Sequence, residues 1–317
     1  MSASLPLTAL SLGATLYMPA TRTDLWDAVS GSKYPALRSL VICLEDAVAE
    51  SDLPQGLAHL QQLLHRLATC PRQPGAPLIF VRPRHPRMAA QLCEWPLIHQ
   101  IDGMVLPKFD ASTEQSWRRS VLPELLIMPT LESASVFDPG AMRDLRDRLL
   151  EQPAQILALR IGGNDLLACL GLRRPRQFTL YQTPIGPLIA QLAGIFLPSG
   201  LALTAPVCEY FQDSALLEQE LVQDLLHGLS AKTIIHPCQI DTVHRALQVD
   251  PLDHAAAQAI LRPTADAVFQ QQGAMLEPAT HRAWAQRVVA RAAMYGLAGT
   301  EDQLIAWPGP SRSWQEA

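Results

Sequence analysis

Eight short apolar runs, each closed by a proline or a polar residue, constrain this chain more than any other feature. They span 14–18 (ATLYM), 39–44 (SLVICL), 77–81 (PLIFV), 101–106 (IDGMVL), 125–131 (LLIMPTL), 155–161 (QILALRI), 200–206 (GLALTAP) and 232–235 (KTII). Near-continuous apolar runs of this length mark parallel strands covered on both faces. Most of the spacers between them are long enough for a crossover helix. Several, such as 141–150 and 213–226, carry helical periodicity. Strands joined in this way pair in parallel. Eight of them predict a closed (β/α)8 barrel of the TIM type. An open doubly wound sheet is the competing arrangement, weakened because no G-x-G-x-x-G follows the first run.

The polar residues fall in one place along each unit. Arg82, Lys108, Glu132, Asp165 and His236 stand at or just past the C-terminal ends of their runs, and Glu45 with Asp46 does the same on the second. In a barrel those ends converge on the face where active sites are built. The sixth run ends in Gly162-Gly163-Asn164-Asp165, a glycine turn that presents an acid at the start of a helix. Asp165 is either a ligand for metal or substrate, or an N-cap. Glu132 lies 33 residues before it, about one βα repeat. The two acids therefore sit on adjacent strands, where their oxygens can share one octahedral Mg²⁺. As lone acids they would be caps or surface charges.

Arg82 suits a clamp on a substrate carboxylate or a developing alkoxide, because its planar fork binds two oxygens at once. The alternative is an ion pair with Glu45 or Asp46. Arg22, after the first run, repeats the argument more weakly. Glu45 and Asp46 either orient Arg82 and metal-bound water or pair with Lys108 or Lys232. A Schiff-base role for Lys108 would need a depressed pKa in an apolar pocket; the alternative is an ion-pair partner. His236, followed by Pro237, is a structural histidine or a base.

A net charge of −5 and no Lys/Arg block exclude a nucleic-acid binder. The six cysteines show no CxxC or zinc spacing, and most lie in apolar runs, so reduced, buried thiols of a cytoplasmic protein are expected. The first twenty residues lack a basic n-region and read as leading into a strand rather than as a signal peptide. No run is long and pure enough to span a membrane. Beyond the eighth run come helix-like stretches at 253–261 and 281–294. The expected division is a barrel over 1–240 and a helical extension over 241–317, packed on the barrel or on a neighbouring subunit. Glu277, just before the last helix, is either a lid acid or base that moves a proton or a helix N-terminal charge.

Seven motifs in order resemble the citrate lyase β-subunit-like branch of the HpcH/HpaI aldolase/citrate lyase superfamily. Tyr17-Met18-Pro19-Ala20-Thr21-Arg22 stands where that family has F-V-P-G-x-R. Leu44-Glu45-Asp46-Ala47-Val48 matches L-E-D-A-V, and Val81-Arg82 matches a strand ending in V-R. Asp102-Gly103-Met104-Val105-Leu106-Pro107-Lys108 matches D-G-x-x-L-P-K, and Leu131-Glu132-Ser133-Ala134 is similar to I-E-T-A. Gly162-Gly163-Asn164-Asp165-Leu166 resembles G-x-x-D-L. Lys232 with Ile235-His236-Pro237 and Gln239-Ile240 matches K-x-x-I-H-P-x-Q-I.

The resemblance implies a TIM barrel, assembled as a homotrimer or homohexamer, with Mg²⁺ (Mn²⁺ as a substitute) held by Glu132 and Asp165. By implying a metal instead of an imine, it favours Lys108 as an ion-pair partner. It implies cleavage or formation of carbon–carbon bonds next to a carboxylate, of retro-aldol or retro-Claisen type. The substrate would be a 2-hydroxy or 2-oxo acid derivative, in many members a thioester. A thioesterase on the same scaffold, or a catalytically silent barrel within a biosynthetic assembly, are the alternatives. Departures are the missing glycine at Ala20, Leu229-Ser230-Ala231 in place of an aromatic–G-x-G approach to Lys232, and Glu277 where G-x-M-x-D usually carries aspartate. They resemble a divergent branch found in tellurite-resistance-type gene clusters.

Overall fold

Every one of the eight apolar runs forms a strand in the computed structural model, which describes residues 7–299. The strands are β1 (Ala14–Pro19), β2 (Ser39–Cys43), β3 (Leu78–Arg82), β4 (Gly103–Leu106), β5 (Leu126–Leu131), β6 (Leu159–Ile161), β7 (Leu203–Thr204) and β8 (Lys232–Ile234). All pair in parallel with their sequence neighbours from β1 to β7, and β8 returns to pair with β1. β7 and β8 meet through the Ala205–Lys232 bridge, where Ala205 N donates to Ala231 O at 2.7 Å and Thr233 N to Ala205 O at 3.1 Å. The sheet thus closes into a (β/α)8 barrel, and the open-sheet alternative is set aside.

Strand parity decides what lies inside. Side chains alternate faces along a strand, so Val41, Leu78, Phe80, Val105, Leu126, Met128, Ala158 and Ala231 form an apolar cluster within the barrel. The 3-10 turn Ala9–Leu12 contributes Ala9 and Leu12 to that cluster. Ser39 Oγ donates to Leu12 O at 2.7 Å and ties the turn to the start of β2. The opposite parity faces the surrounding helices, as in Leu53–Thr69, where Leu60, Leu63, Leu64 and Leu67 are buried at helical spacing.

Past β8, helix Ile240–Leu247 sends Ile240, Val243 and Leu247 into the core shared by barrel and helices. A separate cluster begins at Val249 and gathers residues of helices Pro251–Leu261 and Pro278–Tyr295 with Leu276 of β10. Strands β9 (Phe269–Gln271) and β10 (Ala274–Leu276) form an antiparallel hairpin. Helix Ile240–Leu247 thus packs with the barrel, and the separate cluster of the extension begins at Val249. The last helix is anchored to the start of the barrel, with Arg38 Nη2 donating to Met294 O at 2.8 Å and the Tyr295 hydroxyl to Leu10 O. Residues 300–317 of the expected extension lie outside the described residues.

The expectation of buried thiols needs correction. All six cysteines are free, but Cys43 and Cys208 alone are buried, while Cys70, Cys169 and Cys238 are exposed. The last three sit at helix ends and in a loop turn, where an apolar neighbour in sequence does not imply a core neighbour in space. No helix among the described residues is long and apolar enough to cross a membrane.

Candidate active site

The C-terminal ends of the strands surround a cavity of about 270 Å³ lined by Tyr17, Asp46, Arg82, Thr130, Glu132, Arg160, Asp165 and Thr233, among others. A larger recess of about 840 Å³ lies over the loops after β6 and β7, beside Arg173, Arg176 and Tyr210. The smaller cavity holds the perturbed carboxylates, which makes it the chemical centre.

Parity again explains the lining. On β5 the inward series 126, 128, 130 continues to Glu132, and on β3 the series 78, 80 ends at Arg82. Glu132 is buried, and its two oxygens are used differently. Oε1 accepts from Arg82 Nη2 at 3.0 Å and from the Lys108 backbone N–H at 2.8 Å. Among the described residues, no hydrogen bond reaches Oε2. Lys108 adopts φ +49°, a left-handed conformation unusual for a residue with a Cβ. Its N–H donates to Glu132 from that conformation. Oε2 borders Gly162, where any Cβ would fall within 2.5 Å of it. That approach requires glycine.

Asp165 lies in the first turn of helix Gly163–Cys169, whose N-cap position is Gly162. The N-cap alternative for Asp165 therefore does not hold. Burial raises its carboxyl pKa, with Arg82 opposing. Burial pushes the Glu132 carboxyl up to about 7, with Arg82 pulling it down and the Asp165 charge pushing it further up. A buried acid and a half-buried one thus repel each other across one cavity. Hard oxygen donors, one unengaged carboxylate oxygen and unrelieved like charge are what a Mg²⁺ ion suits. The residues present fit the metal.

Arg82 spends Nη2 on Glu45 Oε2 at 2.8 Å and Glu132 Oε1 at 3.0 Å, with Asp46 Oδ2 at 3.8 Å, and its buried Nε has no partner. The ion-pair alternative is therefore present, together with a place on the cavity wall. Glu45 is buried, and its pKa is raised by desolvation against the pull of Arg82. Lys108 Nζ meets Glu45 Oε1 at 3.2 Å. That hydrogen bond raises the Lys108 pKa, the reverse of what an imine-forming lysine needs. Asp46 is exposed at the rim.

Three residues stand apart. Arg22 gives its fork to Asp24, at 2.7 and 2.6 Å, on the exposed surface, and does not line the cavity. Glu277 precedes the last helix, accepts from Thr280 Oγ1 at 3.2 Å, and likewise does not line the cavity of its own chain. His236 caps the turn after β8, accepting from Cys238 N at 3.2 Å, and stacks on Phe211 with centroids 4.6 Å apart.

The pairing of Lys232 with Glu45 or Asp46 is corrected. The inward positions on β8 are 231 and 233, so Lys232 points out into helix Ser214–Leu226. There Nζ meets Glu220 Oε2 at 3.1 Å and Asp224 Oδ2 at 2.9 Å. Glu220 also pairs with Arg174, and Asp224 accepts from the Tyr181 hydroxyl at 2.6 Å. This fully enclosed network is structural.

Sequence reasoning missed Tyr17, Thr130, Thr233 and above all Arg160. A cation inside an apolar run, at the inward parity of 158 and 160, was the available signal.

A family model described as C–C bond lyase of the TIM-barrel fold matches residues 6–297. A comparison with curated proteins found no match. Among solved structures, the chain is similar to protein CitE from Mycobacterium tuberculosis in complex with magnesium, acetoacetate and coenzyme A. The identity is 19%, covering 90% of this chain and 99% of that one, with a TM-score of 0.66. It is also similar to RipC from Yersinia pestis, at 20% identity over 75% of this chain and 95% of that one, with a TM-score of 0.56. The citrate lyase beta subunit from M. tuberculosis, complexed with oxaloacetate and magnesium, matches at 18% identity. It covers 75% of this chain and 99% of that one, with a TM-score of 0.55. At these identities the likeness establishes the fold.

Proposed function

Because this chain belongs to the C–C bond lyases of the TIM-barrel fold, we propose that it is a Mg²⁺-dependent lyase acting on a carboxylate-bearing 2-hydroxy or 2-oxo acid derivative. The reaction is of retro-aldol or retro-Claisen type. The observation that carries this reading is the convergence of two carboxylates, the buried Glu132 and the half-buried Asp165, both with raised pKa, with Arg82 on one small cavity. Magnesium with oxaloacetate or acetoacetate in the similar solved structures supports it.

Glu132 and Asp165 hold the metal, which when bound supplies a positive charge that stabilises an enolate. Mn²⁺ offers the same oxygen-preferring site a substitute. Arg82 stays cationic, since Glu132 and Glu45 hold its pKa well above the ordinary guanidinium value against the cost of burial. Its buried Nε has no partner and is free to bond a developing oxyanion in the cavity that Arg82 lines. Glu45 fixes Arg82 from behind and holds Lys108 over the rim. Ile161, Val207 and Ile235 give the cavity an apolar wall. Glu277 handles the substrate proton from a neighbouring subunit in a homotrimer or homohexamer, since it lies off its own chain's cavity.

Calorimetry of Mg²⁺ and Mn²⁺ on the wild type, Glu132→Ala and Asp165→Ala, with and without oxaloacetate or glyoxylate, tests the reading. Metal binding that needs both acids and tightens with the 2-oxo acid is expected. Binding indifferent to both substitutions would overturn it. Product analysis by NMR separates carbon–carbon cleavage from thioester hydrolysis.

A further inference from the structure

The cavity wall holds more hydrogen-bonding capacity than its own side chains use. Arg82 Nε, Thr130 Oγ1, Arg160 Nε and Thr204 Oγ1 are buried polar atoms without a partner, and all four belong to inward positions near the tops of their strands. Three of these residues, Arg82, Thr130 and Arg160, line the same cavity. Buried polar atoms are ordinarily paired, because leaving them unpaired costs free energy.

Arg160 stands out among them. It is 1% exposed, and no carboxylate among the described residues lies within ion-pair distance of it. Its partners are neutral: the Thr233 hydroxyl at 2.5 Å, Met128 Sδ at 3.7 Å and the face of Tyr17 at 5.3 Å. Arg174, buried as deeply, has Glu220 against it. A buried cation without a counter-charge is costly to keep. Such costs concentrate where a ligand repays them. The cavity is therefore bipolar, with Glu132 and Asp165 on one wall and a cationic floor at Arg160.

We propose that Arg160 binds a second carboxylate of the substrate, so that the lyase acts on a small diacid. This rests on the function proposed above. One end of the molecule, the 2-hydroxy or 2-oxo carboxylate, lies toward Glu132 and Asp165. The other end takes the Arg160 fork, with the hydroxyls of Thr130 and Thr233 beside it. A cavity of about 270 Å³ is the size for an acid of a few carbons.

The test uses the Mg²⁺-loaded full chain and calorimetry with lactate, malate and 2-hydroxyglutarate as probes, each in both enantiomers. They differ in whether, and how far away, a second carboxylate is present. At least one diacid should bind about tenfold or more tighter than lactate, the scale of one charge-assisted bidentate contact. Arg160→Met should weaken that diacid at least tenfold more than it weakens lactate. Its ligand-free melting temperature should equal or exceed that of the wild type, since an unbalanced buried charge has been removed. Arg160→Lys, which keeps charge but not the fork, should retain part of the preference. A preference that survives Arg160→Met, or no diacid binding tighter than lactate, overturns the proposal. So does a lower melting temperature with lactate and diacid weakened equally, which marks a structural arginine. Tighter binding of 3-phosphoglycerate than of any diacid reassigns the floor to phosphate and also overturns it. Lactate binding indifferent to Mg²⁺ and to Glu132→Gln would instead sink the lyase reading, whatever Arg160 does.

Discussion

Lowering the pH from 8 to 6 should weaken Mg²⁺ binding about tenfold. The Glu132 carboxyl sits at about 7 because burial and Asp165 outweigh the pull of Arg82. It is then about nine-tenths ionised at pH 8 and about one-tenth at pH 6, a difference of about 1.4 kcal/mol. A metal binds the ionised form, so each ion taken up at pH 6 should release about 0.9 proton. The same raised pKa acts on folding with a definite sign. A carboxyl whose folded pKa lies above its unfolded value stabilises the fold below the unfolded value and loses that contribution as pH rises. The metal-free protein should therefore lose about 3 kcal/mol from this group between pH 4.5 and 7, and Mg²⁺ should restore stability at the upper end. Asp165, also raised, steepens the metal's pH dependence at the acid end. Calorimetry at pH 6, 7 and 8 in two buffers of different ionisation enthalpy reads both affinity and proton count. A dissociation constant unchanged across that range, with no proton released, would refute the reasoning, since Glu132 would then not be a protonatable ligand.

Three further outcomes follow from geometry. Gly162→Ala puts a Cβ within 2.5 Å of Glu132 Oε2. Overpacking of this kind costs about 1–3 kcal/mol, and Mg²⁺ affinity should drop at least tenfold while circular dichroism shows the fold retained. Arg82→Met removes the charge that holds the Glu132 pKa down, so the pH midpoint of metal binding should move up; an unmoved midpoint would detach Arg82 from the site. Lys232→Met leaves Glu220 and Asp224 with an unbalanced buried charge and should cost about 3–5 kcal/mol in urea unfolding. Adding Asp224→Leu should return part of that loss.

The barrel was legible because strands covered on both faces must be apolar throughout, and β1 to β5 keep nearly the bounds their runs imply. β6 and β7 shrink to Leu159–Ile161 and Leu203–Thr204, since an apolar run shows burial but not where ladder pairing stops. The positions of Glu132, Asp165 and Arg82 were legible from the strand ends. Their partners were not, because which acid an arginine meets depends on parity and on chain paths that spacing does not carry. Lys232 shows this: it ends up outside the barrel wall by a single step of parity. Arg22 was misleading for a different reason, since Asp24 two residues on offers a local partner that no strand-end rule anticipates. Arg160 was readable in principle from 158, 160 and 162 alternating inward, but an isolated cation in a strand suggests nothing until its neighbours are known to be neutral.

The short β7 has a mechanical consequence. Around most of the cylinder the staves are laced by backbone ladders, but between β7 and β8 the lacing is one bridge at Ala205. Lys232, Glu220, Asp224 and Arg174 lie directly over that joint, and Arg174 Nη1 donates to Val207 O at 2.8 Å on the β7 side. The cylinder is buckled there by charge in addition to the few amide bonds that stitch it, Ala205 N to Ala231 O, Thr233 N to Ala205 O and Ser230 N to Leu203 O. Such a buckle holds only when its parts are aligned, so this joint should be the last to fasten and the first to come loose. Amide exchange earlier at 203–205 and 232–234 than across β2 and β3 would show it, and uniform exchange around the wall would refute it. Because Val207, Thr233 and Ile235 belong both to this joint and to the reaction cavity, loosening the buckle would also open a side wall of the chamber.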